Sequence, residues 1–211
     1  MIEETSFKSF KKYILYNKVK LVVIKSLKTA IKSGVYSPNV LHGVTGSGKT
    51  EIFIEIIKTV KKLGKCSIVL IPEISLTSQI SGRFKQVFGD GMALWHSQLS
   101  KSQRAKTWRD INDGTCKIVI GARSAIFSPV KNLGLIIVDE EHDSSYKQDS
   151  PSPRYHARDV AIMRSKIEKC TVVLSSATPS LESFYNYKVK KYNYLTLSKR
   201  YGDALYPKVR V

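Results

Sequence analysis

One eight-residue segment constrains the fold of this 211-residue chain more than any other: Gly43, Val44, Thr45, Gly46, Ser47, Gly48, Lys49 and Thr50. It fits the pattern G-x-x-x-x-G-K-[ST], and it lies between an apolar run and an amphipathic stretch. Glycines let the backbone N–H groups of such a loop point at phosphate oxygens, and the dipole of the following helix adds positive potential. The segment therefore predicts a nucleoside triphosphate site, in which Lys49 contacts the β- and γ-phosphates and Thr50 ligates Mg²⁺.

Short apolar runs alternate with helical patterns through the rest of the chain. The central runs are continuously apolar, as strands that are buried on both faces require. Repeated strand-helix units predict an α/β fold, with a mostly parallel sheet and helices on both faces. The expected strands are 39–42, 66–71, 92–95, 117–120, 133–138 and 171–175, and the last twenty residues are expected to form a further strand and a connection. The expected helices are 18–33, 49–63, 75–88, 101–113 and 155–167. The polar segment 144–154, which contains two prolines, predicts a surface loop.

The apolar run 133–138 ends in an acidic motif that consists of Asp139, Glu140, Glu141 and His142. A carboxylate at the end of such a strand, facing the phosphate-binding loop, is placed to hold magnesium. We expect Asp139 to orient Mg²⁺ through water and Glu140 to accept a proton from the attacking water. Lys49 and these two carboxylates form the predicted catalytic set of an NTPase.

The charge balance is strongly basic, with a net charge of +18. The excess of Lys and Arg is concentrated at residues 1–35 and 186–211, and it favours a polyanionic partner such as nucleic acid. No apolar run approaches the ~18 residues of a membrane span. The N-terminus has neither the apolar stretch nor the cleavage site of a secretory signal. We therefore expect a cytoplasmic protein that does not associate with membranes.

The three cysteines, Cys66, Cys116 and Cys170, lie far apart in the sequence and form no C-x-x-C pair. This spacing is typical of reduced thiols in or beside buried strands of a cytoplasmic protein. We expect no disulfide and no zinc site in this chain.

Six longer strings occur in a fixed order: GVTGSGKTE (43–51), IPEISLT (71–77), GARSAIFSP (121–129), VDEEHDSSYKQ (138–148), RYHARD (154–159) and SSATPSLES (175–183). They closely resemble the primosomal protein N-prime family, the replication-restart DNA helicases of superfamily 2, from about residue 16 to the C-terminus. The resemblance implies a RecA-like P-loop NTPase lobe, the first of two motor lobes. It implies three parts, which are a basic leading segment and helix (1–35), the helicase ATP-binding lobe (36–185) and a basic tail that leads towards a second lobe (186–211).

The function that the resemblance implies is an ATP-dependent 3′-to-5′ DNA helicase that acts in replication restart and primosome assembly. Its implied ligands are ATP, Mg²⁺ and forked or single-stranded DNA. Its implied protein partners are single-strand-binding protein and primosome proteins. By position, the residues implied to contact DNA or to couple it to ATP hydrolysis are Pro72, Glu73, Thr77, Arg123, Tyr146, Arg154, Tyr155, Ser176 and Thr178.

Two departures from the family pattern bear on activity. The family reads adenine with a Gln in a Leu-Asn-x-x-Gln segment, but Lys20 stands at that position here, and selectivity for adenine is therefore not implied. The arginine that completes the ATP site in the family comes from the second lobe, which this sequence does not match. Such an arginine contributes about 10³–10⁵ in rate in related NTPases. We therefore expect the chain alone to bind ATP, to hydrolyse it slowly and not to unwind DNA.

Two alternatives to a working helicase lobe stay open. The first is a truncated, non-catalytic ATP- or DNA-binding remnant of such a helicase, which the Lys20 substitution favours and the intact Lys49, Thr50, Asp139 and Glu140 oppose. The second is a related superfamily 2 translocase that moves on DNA without unwinding it. ATPase activity that forked DNA stimulates no better than duplex DNA would favour the second.

Overall fold

A computed structural model describes residues 2–75 and 78–200 of the chain, with the side chains of 18–75 and 80–200. The described helices are α1 (Ile2–Ser33), α2 (Lys49–Lys62), α3 (Ser78–Phe88), α4 (Lys101–Asn112), α5 (Ala157–Ile167) and α6 (Leu181–Lys188). The described strands are β1 (Ser37–Gly43), β2 (Cys66–Leu70), β3 (Met92–Trp95), β4 (Ile118–Gly121), β5 (Leu133–Asp139), β6 (Lys147–Gln148), β7 (Tyr155–His156), β8 (Thr171–Ser176) and β9 (Asn193–Leu197).

Seven of these strands form one parallel sheet in the order β3-β4-β2-β5-β8-β1-β9. The short strands β6 and β7 pair antiparallel in a separate hairpin. Because the seven strands run in the same direction, their carboxyl ends meet at one edge, where loops from several strands can build a site. The predicted α/β fold with a mostly parallel sheet is confirmed.

Each face of the sheet is covered by helices. Successive residues of a strand point to opposite faces, so a continuously apolar strand presents apolar side chains on both faces. On one face, α1, α2 and α3 form a core in which Leu27 and Phe53 pack with Ile137 of β5. On the other face, α4 and α5 cover a second core, in which Ala161 packs with Ile136. The neighbouring residues Ile136 and Ile137 therefore belong to different cores, which explains why the central strand had to be continuously apolar.

Helix α2 matches its prediction closely. It begins at Lys49, directly after Gly48, whose φ of 78° is a left-handed conformation that favours glycine. The basic residues Lys61 and Lys62 lie in the last turn, where they complement the negative end of the helix dipole. The helix is followed by Gly64, which has a φ of 71°. These local signals place the helix N-terminus at the end of the phosphate-binding loop.

At the two ends of the chain, helix α1 is longer than expected, whereas the strand expected in the last twenty residues is found as β9. Helix α1 begins at residue 2, well before the expected start at 18. Strand β9 lies within the predicted tail 186–211 and yet forms the edge strand beside β1, where the Tyr194 hydroxyl and His42 Nδ1 are 2.7 Å apart. The division into 1–35, 36–185 and 186–211 stays a prediction. None of the helices in the described part of the chain has the length and apolar character that crossing a bilayer requires.

The segment 144–154 is only partly the surface loop that its composition predicted. It starts with a 3-10 turn at Ser144–Tyr146, continues into β6 and then runs exposed towards β7. Tyr146 is fully buried and packs in the core under β5. Within this polar sequence, Tyr146 is the aromatic residue that attaches the loop to the sheet.

Candidate functional site

The loop after β1 is held in a tight curve by its own backbone. The Ser47 N–H donates to the Val44 carbonyl at 3.0 Å, and Gly46 and Gly48 have φ values of 76° and 78°. A Cβ atom on Gly43 would lie 2.8 Å from Ser47 Oγ and 3.2 Å from Lys49 Cγ, so glycine is required there. The loop has the curled conformation that the G-x-x-x-x-G-K-[ST] pattern predicts for a phosphate cradle.

Lys49 is largely buried, with 9% of its surface exposed. Its Nζ donates to the Gly43 carbonyl at 2.9 Å and lies 3.3 Å from Glu140 Oε1. A buried ammonium group needs such acceptors, because burial without partners would disfavour its charged form. The side chain is therefore fixed across the loop, with its charge held between the loop and the acidic motif.

Asp139 ends β5 and lies at the carboxyl edge of the sheet. Its Oδ1 accepts a hydrogen bond from Ser175 Oγ at 3.1 Å. Burial and the neighbouring Glu140 raise the pKa of Asp139 to about 6. Burial disfavours the charged form of the carboxyl group, and Glu140 repels a second negative charge beside it. A divalent cation would compensate this charge, so the carboxylate is chemically suited to the predicted magnesium role.

Glu140 has a left-handed backbone conformation with a φ of 46°. For a residue with a side chain this costs on the order of 1–3 kcal/mol, and such residues cluster at functional sites. The turn brings the Glu140 carboxylate towards Lys49 rather than letting it continue the direction of β5. The strained backbone of Glu140 thus accompanies the position of its carboxylate beside Lys49, which the predicted role of general base requires.

These elements enclose one cavity of about 700 Å³, which is lined by Lys20, Thr45, Gly46, Gly48, Lys49, Thr50, Glu51, Arg83, Asp139 and Glu140. The phosphate-binding loop follows β1 and the acidic motif follows β5, with only β8 between them. Neighbouring strands lie roughly 4.8 Å apart, so the two motifs are about 10 Å apart at the sheet edge. The sheet order therefore brings Lys49, Thr50, Asp139 and Glu140 together, as the sequence interpretation requires.

The same cavity has a second wall, in which Lys20 lies at the nucleotide site as the resemblance implied, whereas Glu51 and Arg83 were not predicted there. Lys20 Nζ lies 3.6 Å from Glu51 Oε2, and Arg83 donates to the other oxygen of Glu51. Burial alone would raise the pKa of Glu51, but the Arg83 hydrogen bond and the Lys20 charge lower it. Glu51 directly follows Thr50, so the phosphate-binding motif itself indicates that Glu51 lies near the site. Arg83 comes from α3, and no motif in the sequence indicates its position.

The acidic motif divides into two parts, because Glu141 points away from the cavity. Glu141 is fully buried, and it accepts hydrogen bonds from the Ser180 N–H at 2.7 Å, Ser180 Oγ at 3.1 Å and an Arg158 guanidinium nitrogen at 3.3 Å. We call Glu141, Arg158 and Ser180 the buried cluster. It ties the end of β5 to the N-termini of α5 and α6. Sequence reasoning gave Arg158 no role.

His142 connects the acidic motif to the Ser176-Ala177-Thr178 segment. Its Nδ1 lies 2.8 Å from Ser176 Oγ and 3.8 Å from Glu140 Oε2. Ser176 is buried and also accepts a hydrogen bond from the Thr178 N–H at 2.8 Å, whereas Thr178 is exposed. A chain of polar contacts therefore runs from Glu140 to an exposed residue, which suits the predicted coupling role of Ser176 and Thr178.

Three of the candidate DNA residues lie beside the carboxyl ends of β2 and β4. Pro72 is buried, but Glu73 is exposed and accepts a hydrogen bond from the Ser97 N–H at 3.2 Å. Arg123 donates to the carbonyls of Ser145 at 3.3 Å and Lys147 at 3.0 Å, so it supports the turn before β6. Thr77 lies outside the described residues.

The remaining candidates come from the loop before α5. Arg154 is exposed, and Tyr155 is half-buried with its ring centroid 5.0 Å from that of Phe127. Tyr146 does not present a surface to DNA, because it is fully buried and its hydroxyl donates to the Asp139 carbonyl at 2.6 Å. A direct contact with DNA is not available to this buried ring, and the coupling role of Tyr146 stays a prediction, which its hydrogen bond to Asp139 suits.

The donor set limits which metals this site could hold. Among the described side chains, those of 18–75 and 80–200, no three His, Cys, Asp or Glu residues come close enough to form a metal site. The cavity instead offers the carboxylate of Asp139, which is half-buried, and the hydroxyl of Thr50. Mg²⁺ bound together with a nucleotide requires few protein ligands, because phosphate oxygens and water complete its shell.

Residues 14–186 match the family model described as DEAD/DEAH box helicase. Among the curated relatives, the replication restart protein PriA of Chlamydia trachomatis is 47% identical over 193 residues, which cover 92% of this chain and 26% of that protein. The replication restart protein PriA of Bacillus subtilis is 49% identical over 183 residues, which cover 87% of this chain and 23% of that protein. The chain thus spans about a quarter of these relatives.

Solved structures support the same fold at lower identity. RecG bound to a three-way DNA junction superposes with a TM-score of 0.64 and 20% identity, over 88% of this chain and 24% of that one. The Hef helicase domain of Pyrococcus furiosus superposes with a TM-score of 0.56 and 19% identity, over 84% of this chain and 37% of that one. These likenesses establish the RecA-like fold.

Proposed function

Because this chain belongs to the DEAD/DEAH box helicase family, we propose that it is the ATP-binding lobe of a PriA-like replication-restart DNA helicase. One observation carries the proposal. Lys49 and Glu140 meet at 3.3 Å across a cavity that Thr50 and Asp139 also line, as the ATP site of such a motor requires. The 45–49% identity to several PriA proteins favours this branch of the family over other translocases.

The residues of this chain have distinct roles in the proposed ATP hydrolysis. The backbone N–H groups of the phosphate-binding loop and the Lys49 ammonium bind the β- and γ-phosphates. Thr50 and Asp139 would hold Mg²⁺, which neutralises phosphate charge when it is bound. Glu140 orients the attacking water and accepts its proton. Asp139 is half-buried and fixed by Ser175, so the site requires little reorganisation when the nucleotide binds.

The described chain supplies only part of the charge stabilisation that rapid hydrolysis needs. In the described residues, Arg83 is the arginine that lines the cavity, and Glu51 holds its guanidinium group. We propose that an arginine from another lobe or subunit completes the site. The chain alone would then bind ATP tightly but turn it over slowly, since such an arginine contributes about 10³–10⁵ in rate.

The wall of Lys20, Glu51 and Arg83 bears on which base the cavity accepts. A lysine only donates hydrogen bonds, whereas the glutamine of the family pattern both donates and accepts. An adenine amino group therefore gains no acceptor from Lys20, and we propose that this lobe discriminates weakly between ATP and GTP. Calorimetric titration of both nucleotides into the unchanged chain and into Lys20→Gln tests this, and a strong ATP preference of the unchanged chain would refute it.

The test of the main proposal is ATPase activity of the purified chain with and without single-stranded DNA, beside Lys49→Ala. We expect binding of ATP, slow turnover that DNA stimulates, and loss of both binding and turnover in Lys49→Ala. Binding with turnover at background for every DNA would support the non-catalytic remnant instead. Absence of nucleotide binding would refute the proposal.

The DNA preference, the 3′-to-5′ polarity and the binding of single-strand-binding protein and primosome proteins are also proposals. Identity to PriA proteins supports them, together with the position of Arg123 and Arg154 at the carboxyl edge. Comparing forked with duplex DNA as ATPase activators separates the helicase from a translocase. We expect forked DNA to stimulate more strongly, and equal stimulation would favour the translocase.

A further inference from the structure

The two tryptophans of the chain lie against each other at the edge of the sheet that is farthest from β9. Trp95 ends β3, and Trp108 lies on α4, with their ring centroids 5.7 Å apart. Trp95 is 9% exposed and its Nε1 donates to Ser124 Oγ at 3.1 Å, whereas Trp108 is 43% exposed. A fixed, buried tryptophan thus supports a second one that presents much of its ring to solvent.

Helix α4 carries this ring on an unusually exposed surface. Ile111 is its one buried residue, and a capping box between Ser100 and Gln103 fixes its first turn. The helix and Trp95 form a groove of about 540 Å³, lined by Trp95, Lys101, Arg104, Ala105, Trp108 and Arg109. We call this the tryptophan groove. Exposed apolar surface that is bordered by polar groups is typical of an interaction site.

The border of the tryptophan groove is entirely cationic. Lys101, Arg104 and Arg109 form no ion pair with any carboxylate of the described residues. The Arg104 guanidinium lies 5.7 Å from the centre of the Trp95 ring and donates to the Ser97 carbonyl at 3.4 Å. No acidic side chain lines the groove. Charge complementarity therefore requires an anionic partner, and the tryptophan face favours one with flat rings.

Single-stranded nucleic acid has both properties, because its phosphates are anionic and its bases are unstacked. In a duplex the base faces are covered by their neighbours, so an exposed tryptophan has no ring to contact. The cations extend from residue 101 to residue 109, about 12 Å along the helix axis. Phosphates of a stacked strand lie roughly 3.4 Å apart along its axis and those of an unstacked strand lie farther apart, so that distance corresponds to at most about three nucleotides. The size of the groove therefore suits a short stretch of one strand.

The groove also continues the surface on which we propose that DNA binds. Trp95 and Arg123 follow neighbouring strands, and the Trp95–Ser124 hydrogen bond joins the groove to the turn that starts at Arg123. Strand β3 is five positions from β1 in the sheet, which is about 24 Å from the phosphate-binding loop. A strand that crosses the carboxyl edge past Glu73 and Arg123 would reach the groove without approaching the ATP cavity.

We propose that the tryptophan groove binds single-stranded DNA, with a base stacked on Trp108 and the adjacent phosphates bound by Lys101, Arg104 and Arg109. This inference rests on the proposed function, since it extends the path of the same DNA strand. It assigns this edge of the lobe a role separate from nucleotide binding.

Fluorescence gives a direct test, because both tryptophans of the chain lie at the groove. A short oligothymidylate is titrated into the full chain while tryptophan emission is followed, and affinities of variants are measured by anisotropy of the labelled strand. We expect the strand to quench the emission. Trp108→Ala should weaken binding about tenfold, and Trp108→Phe should restore most of the affinity, because stacking tolerates any aromatic ring.

The matched control is Lys106→Ala, which removes one charge from the opposite side of α4. We expect its affinity to stay within about threefold of the unchanged chain, since it loses one distant phosphate interaction at most. An abasic strand of the same length should bind more weakly and should not quench.

Three outcomes would overturn the inference. If the unchanged chain binds the strand and Trp108→Ala binds it equally well, the groove is not used and the proposed function stands. If the abasic strand quenches and binds equally, no base stacks on Trp108. If an oligoglutamate peptide quenches the emission and oligothymidylate does not, the groove is a site for acidic peptides. Failure of every strand to bind would refute the proposed DNA function itself.

Discussion

Glu140 and Glu141 are neighbours in the sequence but belong to two regions with opposite properties. Glu140 faces the ATP cavity, has a strained backbone and keeps 31% of its side chain exposed, with Lys49 3.3 Å away. Glu141 belongs to the buried cluster, has no exposed surface and accepts hydrogen bonds from Ser180 and Arg158. The same type of side chain thus lines the cavity in one region and joins β5 to the N-termini of α5 and α6 in the other.

The comparison shows how the lobe separates function from stability. In the cavity, two carboxylates are close together and the pKa of Asp139 is raised to about 6, so Lys49 compensates their negative charge only in part. In the buried cluster, the Glu141 carboxylate is compensated by groups of the fold itself. Natural proteins commonly depart from the most stable arrangement at functional sites and compensate elsewhere. Substitutions in the two regions should therefore have different consequences.

The largest expected effect is that of Glu140→Gln on ATP turnover. Loss of the general base should lower the rate by about 10²–10⁴, whereas ATP binding should persist because Lys49 is retained. Unfolding stability should not fall, because the variant retains the shape of the side chain. Single-turnover phosphate release with single-stranded DNA measures the rate, and calorimetry measures binding. Unchanged turnover would show that Glu140 is not the base.

The next effect concerns stability, and it is expected for Glu141→Ala. The variant removes the acceptor of the Ser180 N–H and the buried carboxylate partner of Arg158, whose guanidinium keeps Asp159 and Glu182, so it should cost about 1–3 kcal/mol of unfolding free energy. Urea denaturation measures it. Glu182→Ala is the matched control, because Glu182 is 3.5 Å from the same guanidinium but its side chain is 68% exposed. We expect the control to cost less than about 1 kcal/mol. Equal losses would contradict the distinction between the two regions.

Much of the fold and of the ATP cavity was predictable, because the signals are local. The continuous apolar runs at 133–138 and 171–175 predict central strands, and both are found in β5 and β8. The phosphate-binding loop needs only its own glycines and the helix that follows. Parallel strands then place the ends of β1 and β5 at one edge, and the sheet order, with only β8 between them, brings Lys49 close to the acidic motif.

The buried cluster, the burial of Tyr146 and the pairing of β9 were not predictable from the same signals. Glu141 belongs to the same short motif as Asp139 and Glu140, but the turn at Glu140 directs it to the opposite side. Tyr146 lies in a polar segment whose local composition favours a loop, and its burial depends on contacts with β5. β9 pairs with β1 across more than a hundred and fifty residues of chain. These features depend on long-range packing, which the spacing of residues does not encode.

Tyr146→Phe should lower the unfolding free energy by a smaller amount. It tests the hydrogen bond that joins the loop after the acidic motif to Asp139 in the cavity. The variant removes the hydroxyl that donates to the Asp139 carbonyl at 2.6 Å and leaves the ring in the core. Burial raises the pKa of this hydroxyl well above 10.0, so the donor stays protonated at neutral pH and above. We expect a loss of about 1 kcal/mol of unfolding free energy. If Tyr146 couples the DNA loop to Asp139, stimulation of ATPase activity by DNA should fall while basal turnover persists.

The smallest expected effect is at Cys170, which is buried at the start of β8. Burial raises the pKa of this thiol to about 12, so at about pH 8 the reactive thiolate fraction is on the order of one in ten thousand. Ellman's reagent should therefore label Cys170 in the folded chain almost only through unfolding. Glu140→Gln should not change the labelling rate, whereas Glu141→Ala should increase it, because only the second substitution populates the unfolded state. Equal labelling of the two variants at Cys170 would show that the cavity and the buried cluster contribute alike to stability.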